Sequence, residues 1–449
     1  MLIKDIFATA IQERIEPVVK VADRNPAIQL NELQHLVITP QWETYLHRML
    51  EAYTDAFDRD DEQGIGIWIS GFFGSGKSLL MKVLGILLEG GDLLGQSVHH
   101  LFLSRLPGHS RERSDLERFL AICQRKLATS VIGGNLHAQL SSSNDPLALV
   151  VFKLFARQHG YTHNWPLAWA VEYQLDVRDL SAEFHRVASE LSGQDWSEVA
   201  NDPDFYTDVL YQAAATVLPD HFQGADAVER AVMAAVQSGI TPEMLIDRLR
   251  RWCSAQDSGG RRHKVLLQLD ELGQWIASGN ANERIMQVQA LVETAAQDGE
   301  GRLWIAVTAH GDVQALQQNV QQEQYAKISQ RFDLQCKLSN EDISQVVEER
   351  LLRKTQAARI DLSQRFAQRS GDITDLGTVQ QAQRIFASPD AESFPLFYPY
   401  LPWTVTAIPH VVKGIAQATG RDEALTGSNR TMIGVVQGGI IDTPGLLTS

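Results

Sequence analysis

The chain has 449 residues, and 40 Lys and Arg against 55 Asp and Glu leave a net charge of −15. That balance excludes a surface that is basic all over and wraps nucleic acid, so DNA contact is expected only through a local basic patch or, more indirectly, through a partner. With 44% hydrophobic and 21% charged residues the sequence reads as globular, and its length predicts two or three domains in place of one core.

Three cysteines, Cys123, Cys253 and Cys336, stand far apart with no C-x-x-C pair. Neither a zinc site nor a disulfide framework follows, and a reducing compartment fits best. The start, Met1-Leu2-Ile3-Lys4-Asp5, is charged too early for a signal peptide. No apolar run approaches the ~20 residues of a membrane span. The expected localisation is therefore cytoplasmic, with no membrane contact.

In chain order, Ile15 to Val21 and Leu36 to Thr39 read as short strands. From Pro40 to about Phe57, Trp42, Tyr45, Leu46, Met49, Leu50 and Tyr53 recur at helical spacing. Ile65 to Ser70 reads as a buried strand. A glycine-rich loop follows, and then a helix that ends at Gly90-Gly91. Val98 to Leu103 and Ala128 to Gly133 are candidate strands. The stretches Pro146 to Gln158, Pro166 to Glu172, Asp179 to Leu191, Phe205 to Val217, Ala225 to Ser238 and Pro242 to Trp252 read as helices. Ser254 to Arg262 is a polar, glycine-rich linker. Lys264 to Asp270 is a second clear strand, Asn282 to Gln297 a helix, and Arg302 to Thr308 a third strand. The Gln-rich segment Gln314 to Gln324 reads as a solvated helix or loop. Beyond Ser339 the chain turns helical, with Asp342 to Thr355 strongly amphipathic and Ser393 to Pro402 a proline-rich linker.

Strand, glycine loop, helix and then isolated hydrophobic strands form an α/β pattern. The segment Gly71-Phe72-Phe73-Gly74-Ser75-Gly76-Lys77-Ser78 fits G-x-x-x-x-G-K-[ST] in full, between an expected strand and the helix that Leu79 continues. Glycines let the backbone curl so that its N–H groups face phosphate oxygens. The following helix offers its positive end to the same anion. In such a loop Lys77 neutralises the β and γ oxygens and the Ser78 hydroxyl ligates magnesium. The expected cofactors are therefore ATP and Mg2+.

The run Val265-Leu266-Leu267-Gln268-Leu269-Asp270-Glu271 ends a hydrophobic strand in two carboxylates. In an open α/β sheet that end lies beside the phosphate loop. Asp270 is expected to hold the magnesium through its water shell, and Glu271 to act as general base on the attacking water. Thr308, ending the next hydrophobic strand, is the candidate to position that water or sense the γ-phosphate. Arg331 follows one helical segment later, where AAA+ proteins often present an arginine to a neighbouring subunit's nucleotide. Arg430, late in the helical tail, is a candidate second sensor of the γ-phosphate.

These residues resemble the P-loop ATPase of bacterial BREX phage-resistance systems, the BrxC family, and its relative PglY. Ile3-Lys4-Asp5-Ile6-Phe7 with Val18-Val19-Lys20 is similar to that family's start, and Ile67 to Ser78 to its phosphate loop, both phenylalanines included. Leu269-Asp270-Glu271-Leu272-Gly273-Gln274-Trp275-Ile276 resembles its acid motif. Lys327-Ile328 with Arg331-Phe332, Arg350-Leu351-Leu352 with Lys354, and Tyr398-Pro399 before Asn429-Arg430-Thr431-Met432 follow its order. The chain departs from it at Leu79, where the family often has His. It departs again at Thr308-Ala309-His310-Gly311, where Thr-Ser-Gln is more usual and where a role for His310 would fall. Family members are generally longer, so the resemblance implies an N-terminal ATPase portion or a shortened member. It also implies action with a methyltransferase and further BREX-type defence proteins.

The expected architecture is a P-loop NTPase of AAA+ type: a parallel-sheet core, a large helical insertion and a C-terminal helical lid. Its expected divisions are 1–91, the N-terminal segment and start of the core; 92–262, a mostly helical insertion with candidate core strands; 263–338, the rest of the core; and 339–449, the lid. About 190 residues separate Ser78 from Asp270, far more than a few βα units of roughly 30 residues require. The leading function is an ATP-hydrolysing motor or switch that forms ATP-favoured homo-oligomers. A GTPase-type switch is the alternative, since Asp270-Glu271-Leu272-Gly273 matches D-x-x-G, although no guanine-reading Asn/Thr-Lys-x-Asp segment occurs. A nucleotide-binding scaffold without turnover is the third.

Overall fold

The structure is a computed structural model that describes residues 3–11, 19–55, 66–71, 75–136, 145–310, 332–338, 343–382, 386–419 and 429–443. Its centre is a five-stranded sheet built from β1 (Gly66–Gly71), β2 (Leu127–Asn135), β3 (Arg262–Asp270), β4 (Leu303–His310) and β5 (Leu334–Leu338). The order is β2-β3-β4-β1-β5, with all neighbours parallel. Parallel strands need crossovers that cover both faces, and the central strands β1 and β4 are accordingly apolar almost throughout.

The two-residue period of the strands sorts the core into two layers. Val265, Leu267 and Leu269 of β3, with Leu303, Ile305 and Val307 of β4, face one side. There they meet α3 (Leu147–Gln158), α4 (Leu272–Ala277) and α5 (Ala281–Asp298). Leu266, Trp304 and Ala306 face the other side, against α1 (Pro40–Asp55) and α2 (Lys77–Glu89). α1 begins with Pro40 in its first turn, Thr39 Oγ1 accepts from the Trp42 N–H at 3.3 Å, and the apolar residues at helical spacing become buried except for Tyr45, which is half-buried.

The stretch 92–262 divides into three parts. Val98–Arg105 and Arg113–Lys126 are helices on the α2 side of the sheet, and β2 is a core strand. Leu147–Gln158 and Pro242–Ala255 cover the opposite side. Between them, Leu167 to Val232 contribute to a separate helical core that includes Phe184, Leu210 and Val228. The C-terminal helices gather around Val347, Leu352, Val405 and Val436, and Ile6, Phe7 and Ile11 pack into this same cluster. An antiparallel bridge joins Phe7 to Lys354.

Several local expectations change. Val98 to Leu103 is helical, because Ser97 turns the chain and Val98 and Phe102, four residues apart, bury one face. Leu36 to Thr39 forms no strand; Leu36 and Ile38 are buried as a linker that enters α1. Residues 19–21 are not in a strand, and the rest of Ile15 to Val21 lies outside the described residues. The helix expected over Asp342 to Thr355 is Ile343–Arg350, since Lys354 is taken by the bridge to Phe7. The proline-rich stretch contains a short helix, Ser393–Phe397, and Pro402 starts another. The Gln-rich segment lies outside the described residues. Strand β5 carries only a five-residue alternation in which Cys336 and Leu338 are buried, too brief a signal to read in advance. Among the described residues no helix is long and apolar enough to cross a membrane.

Candidate nucleotide site

Both motifs arrive at the same sheet edge for a topological reason. β1 and β3 are separated by β4 alone, and all three end at the same edge. Gln268 and Thr308 share the face that meets α2, so the next alternate residue of β3, Asp270, turns toward the start of α2 as well. Beyond the Leu269–Val307 pairing, Asp270 and Thr308 stand side by side.

Gly71 ends β1, and Phe72, Phe73 and Gly74 lie outside the described residues. Gly76 precedes α2 with φ 91°, a conformation that only glycine holds without strain. A Cβ at Gly76 would also lie 3.1 Å from the Trp42 ring, so α1 backs the loop directly. The edge strand is clamped to α1 by Tyr45, whose hydroxyl donates to the Lys337 carbonyl at 2.9 Å and accepts from its N–H at 3.0 Å.

Lys77 Nζ donates to the Gly71 carbonyl at 2.9 Å. Burial lowers its pKa from the usual lysine value to about 8, against the pull of the Asp270 and Glu271 carboxylates. The Ser78 hydroxyl donates to Asp270 Oδ1 at 2.9 Å, and the Thr308 hydroxyl donates to the same oxygen at 2.5 Å. Asp270 is buried, which raises its pKa, while the bonds from Thr308 and Ser78 oppose the rise. Leu79 follows in the first turn of α2, partly buried against the core.

Glu271 has a left-handed backbone, φ 58° and ψ 37°. Its N–H donates to Thr308 Oγ1 at 2.9 Å, and its Oε2 accepts from Asn135 Nδ2. One threonine hydroxyl thus joins both acids. Asn135 is the residue that sequence reasoning missed. It ends β2 opposite Asp270 in the register, and an asparagine at a strand end has no signal until the neighbouring strand is known.

The residues fit a magnesium nucleotide on two observations. Ser75 Oγ, on the glycine loop just ahead of α2, is buried with no hydrogen-bond partner among the described residues. Ser78 and Asp270 bring two hard oxygen donors together, the ligand type magnesium takes. Arg331 lies outside the described residues. Arg430 falls in the helix Asn429–Ile441 and His310 ends β4 opposite Gly71, and the side chains of both are outside the description.

A parallel sheet ordered β5-β1-β4-β3-β2, with a glycine loop between β1 and α2 and an acid pair ending β3, is the P-loop NTPase fold of AAA+ type. No protein-family model matches the chain. The ORC2 protein of Aeropyrum pernix, solved as ADPNP–ADP complexes, aligns with 96% of this chain and 72% of its own, at 14% identity and a TM-score of 0.32. The class rests on the sheet order and the loop.

Proposed function

We propose that the chain binds ATP with Mg2+ and hydrolyses it, acting as a motor or switch in a BREX-type phage-defence complex. The observation that carries the ATPase reading is the network in which Thr308 joins Asp270 to Glu271 while Ser78 reaches Asp270. It brings the phosphate loop, a metal-holding acid and a second acid together at one sheet edge.

When bound, magnesium would neutralise charge on the β and γ oxygens. Lys77 would exchange its Gly71 carbonyl for those oxygens, and Ser78 and Asp270 would hold the metal. Glu271 would accept a proton from the attacking water, its carboxylate first leaving Asn135. Thr308 would keep the two acids at fixed separation through these steps.

The defence role rests on the sequence resemblance alone, as do a methyltransferase and other defence proteins as partners. ATP-favoured self-association rests on Arg331 as a trans-acting arginine. DNA contact, in this reading, passes through partners. The test is ATP and GTP turnover with and without DNA, alongside mass measurement with and without nucleotide. The reading predicts ATP preference and larger assemblies with ATP. GTP preference would favour the GTPase switch, and binding without turnover the scaffold.

A further inference from the structure

Glu271 is held at three places. Thr308 fixes its N–H and Asn135 its carboxylate. The third hold acts through α4, the six-residue helix that Glu271 starts. A non-glycine residue keeps a left-handed backbone only where its surroundings over-determine it, so the far end of α4 also matters.

That end is gripped by Arg284 of α5. Arg284 is only 5% exposed. Its guanidinium donates to the Trp275 carbonyl in the last turn of α4 and to Ser278 Oγ, at the helix end, at 2.5 Å. It also lies over the buried Trp275 ring, with Cζ 4.7 Å from the centroid. Gly279, just beyond the helix, leaves the space this requires. A Cβ there would stand 2.5 Å from Arg284 Cζ.

We propose that Arg284 is a positioning residue for Glu271: by fixing the end of α4 to α5, it sets where the helix that begins at the general base can sit. The inference rests on the reading of Glu271 as the base of ATP hydrolysis. Six helical residues span only about 9 Å, and such a helix is stiff, so a shift at Ser278 reaches Glu271 with little damping. The ordinary alternative is that Arg284 merely supports the packing of Trp275. Its loss would then lower stability without singling out the chemical step.

The test compares the parent protein with Gly279→Ala, Arg284→Met and Arg284→Lys. The readouts are kcat and KM for ATP, affinity for a fluorescent ATP analogue, and melting temperature. Gly279→Ala is the decisive variant. It keeps the arginine and displaces its guanidinium, which an added Cβ would meet at 2.5 Å, and the Gly279 backbone is not left-handed, so alanine adds no backbone strain. The expected result is a kcat lowered roughly 10- to 100-fold, as for small misplacements of a reacting group, with KM and analogue affinity unchanged. Arg284→Lys, which keeps the charge and can reach one of the two acceptors, should fall between parent and Arg284→Met. Unchanged kcat in Gly279→Ala, or a loss of kcat matched by loss of affinity and a lowered melting temperature, overturns the inference. A parent protein that binds ATP but turns none over removes the general-base reading and this inference with it, and that outcome is visible before any variant is made.

Discussion

The Ser78 hydroxyl donates to Asp270 Oδ1 over 2.9 Å, although the two residues are 192 positions apart in the chain. The contact joins the start of α2 to the end of β3 and leaves a buried carboxylate beside a hydroxyl. Burial works against the carboxylate charge, and a divalent cation at this place would restore it.

Lys77→Ala should weaken ATP binding sharply, since a charge-assisted contact to phosphate contributes about 1.5–3 kcal/mol. The pH dependence has a definite sign. Burial holds Lys77 near a pKa of about 8 in the free protein, and an adjacent triphosphate would raise it. Affinity should therefore be full below pH 8 and decline above it, with protons taken up on binding at alkaline pH. Titration calorimetry at pH 8.5 in two buffers of different ionisation enthalpy measures that uptake. Unchanged affinity in Lys77→Ala would contradict the site.

The two acids should separate by phenotype. Glu271→Gln keeps the side-chain shape and removes the base, so ATP stays bound while hydrolysis stops. Asp270→Ala should weaken magnesium-dependent binding itself. Single-turnover hydrolysis beside equilibrium binding distinguishes them, and parental turnover in Glu271→Gln would exclude Glu271 as the base.

Thr308→Val preserves shape and removes the hydroxyl that serves both Asp270 and the Glu271 N–H. Thr308 is 1% exposed, so water cannot readily substitute. The cost should be about 1–3 kcal/mol in stability for the groups left unpaired, together with a fall in turnover larger than the fall in ATP affinity. Thr308→Ser, which keeps the hydroxyl, should retain most of both.

Glu172 gives a pH signature remote from the nucleotide site. It is buried within the helical stretch and accepts from the Thr162 N–H at 3.0 Å and from Thr162 Oγ1 at 2.7 Å. Burial raises its pKa to about 7, although the Thr162 bonds pull the other way. The folded state therefore binds the proton more tightly than the unfolded chain does. This contribution is full below the unfolded value of 4.5 and is lost as pH rises to about 7. Glu172→Gln should reduce the drop in melting temperature between pH 5 and pH 8. An identical drop in both proteins would count against it.

Arg331 lies outside the described residues, so its role is tested in solution. Arg331→Ala should leave ATP affinity nearly intact and reduce turnover strongly, since trans-acting arginines contribute about 10³–10⁵ to rate. Mixing Arg331→Ala with Lys77→Ala subunits should recover part of the activity, because each supplies what the other lacks. No recovery, with a parental rate independent of concentration, would leave Arg331 as a surface residue.

The phosphate loop, the acid pair and the α/β class were legible in the sequence because each is local. A glycine loop between strand and helix, and a hydrophobic strand ending in Asp270-Glu271, carry their chemistry in adjacent residues. The hydrophobic run that ends at Thr308 also marked that residue as a candidate, though not what it would touch, and the strand itself runs on to His310. The tertiary structure alone decided the rest. Asn135 reaches Glu271 only because β2 lies next to β3 with Asn135 opposite Asp270. Thr308 bonds both acids only because β4 is inserted between β1 and β3. Arg284 grips α4 only because α5 folds back across it. Val98–Arg105 became a helix, and the brief alternation of Leu334–Leu338 became an edge strand, where the packing of neighbouring elements overrode or completed a weak local preference. Strand order and register are set by which buried faces can be covered together, and that is a property of the whole chain, not of any segment.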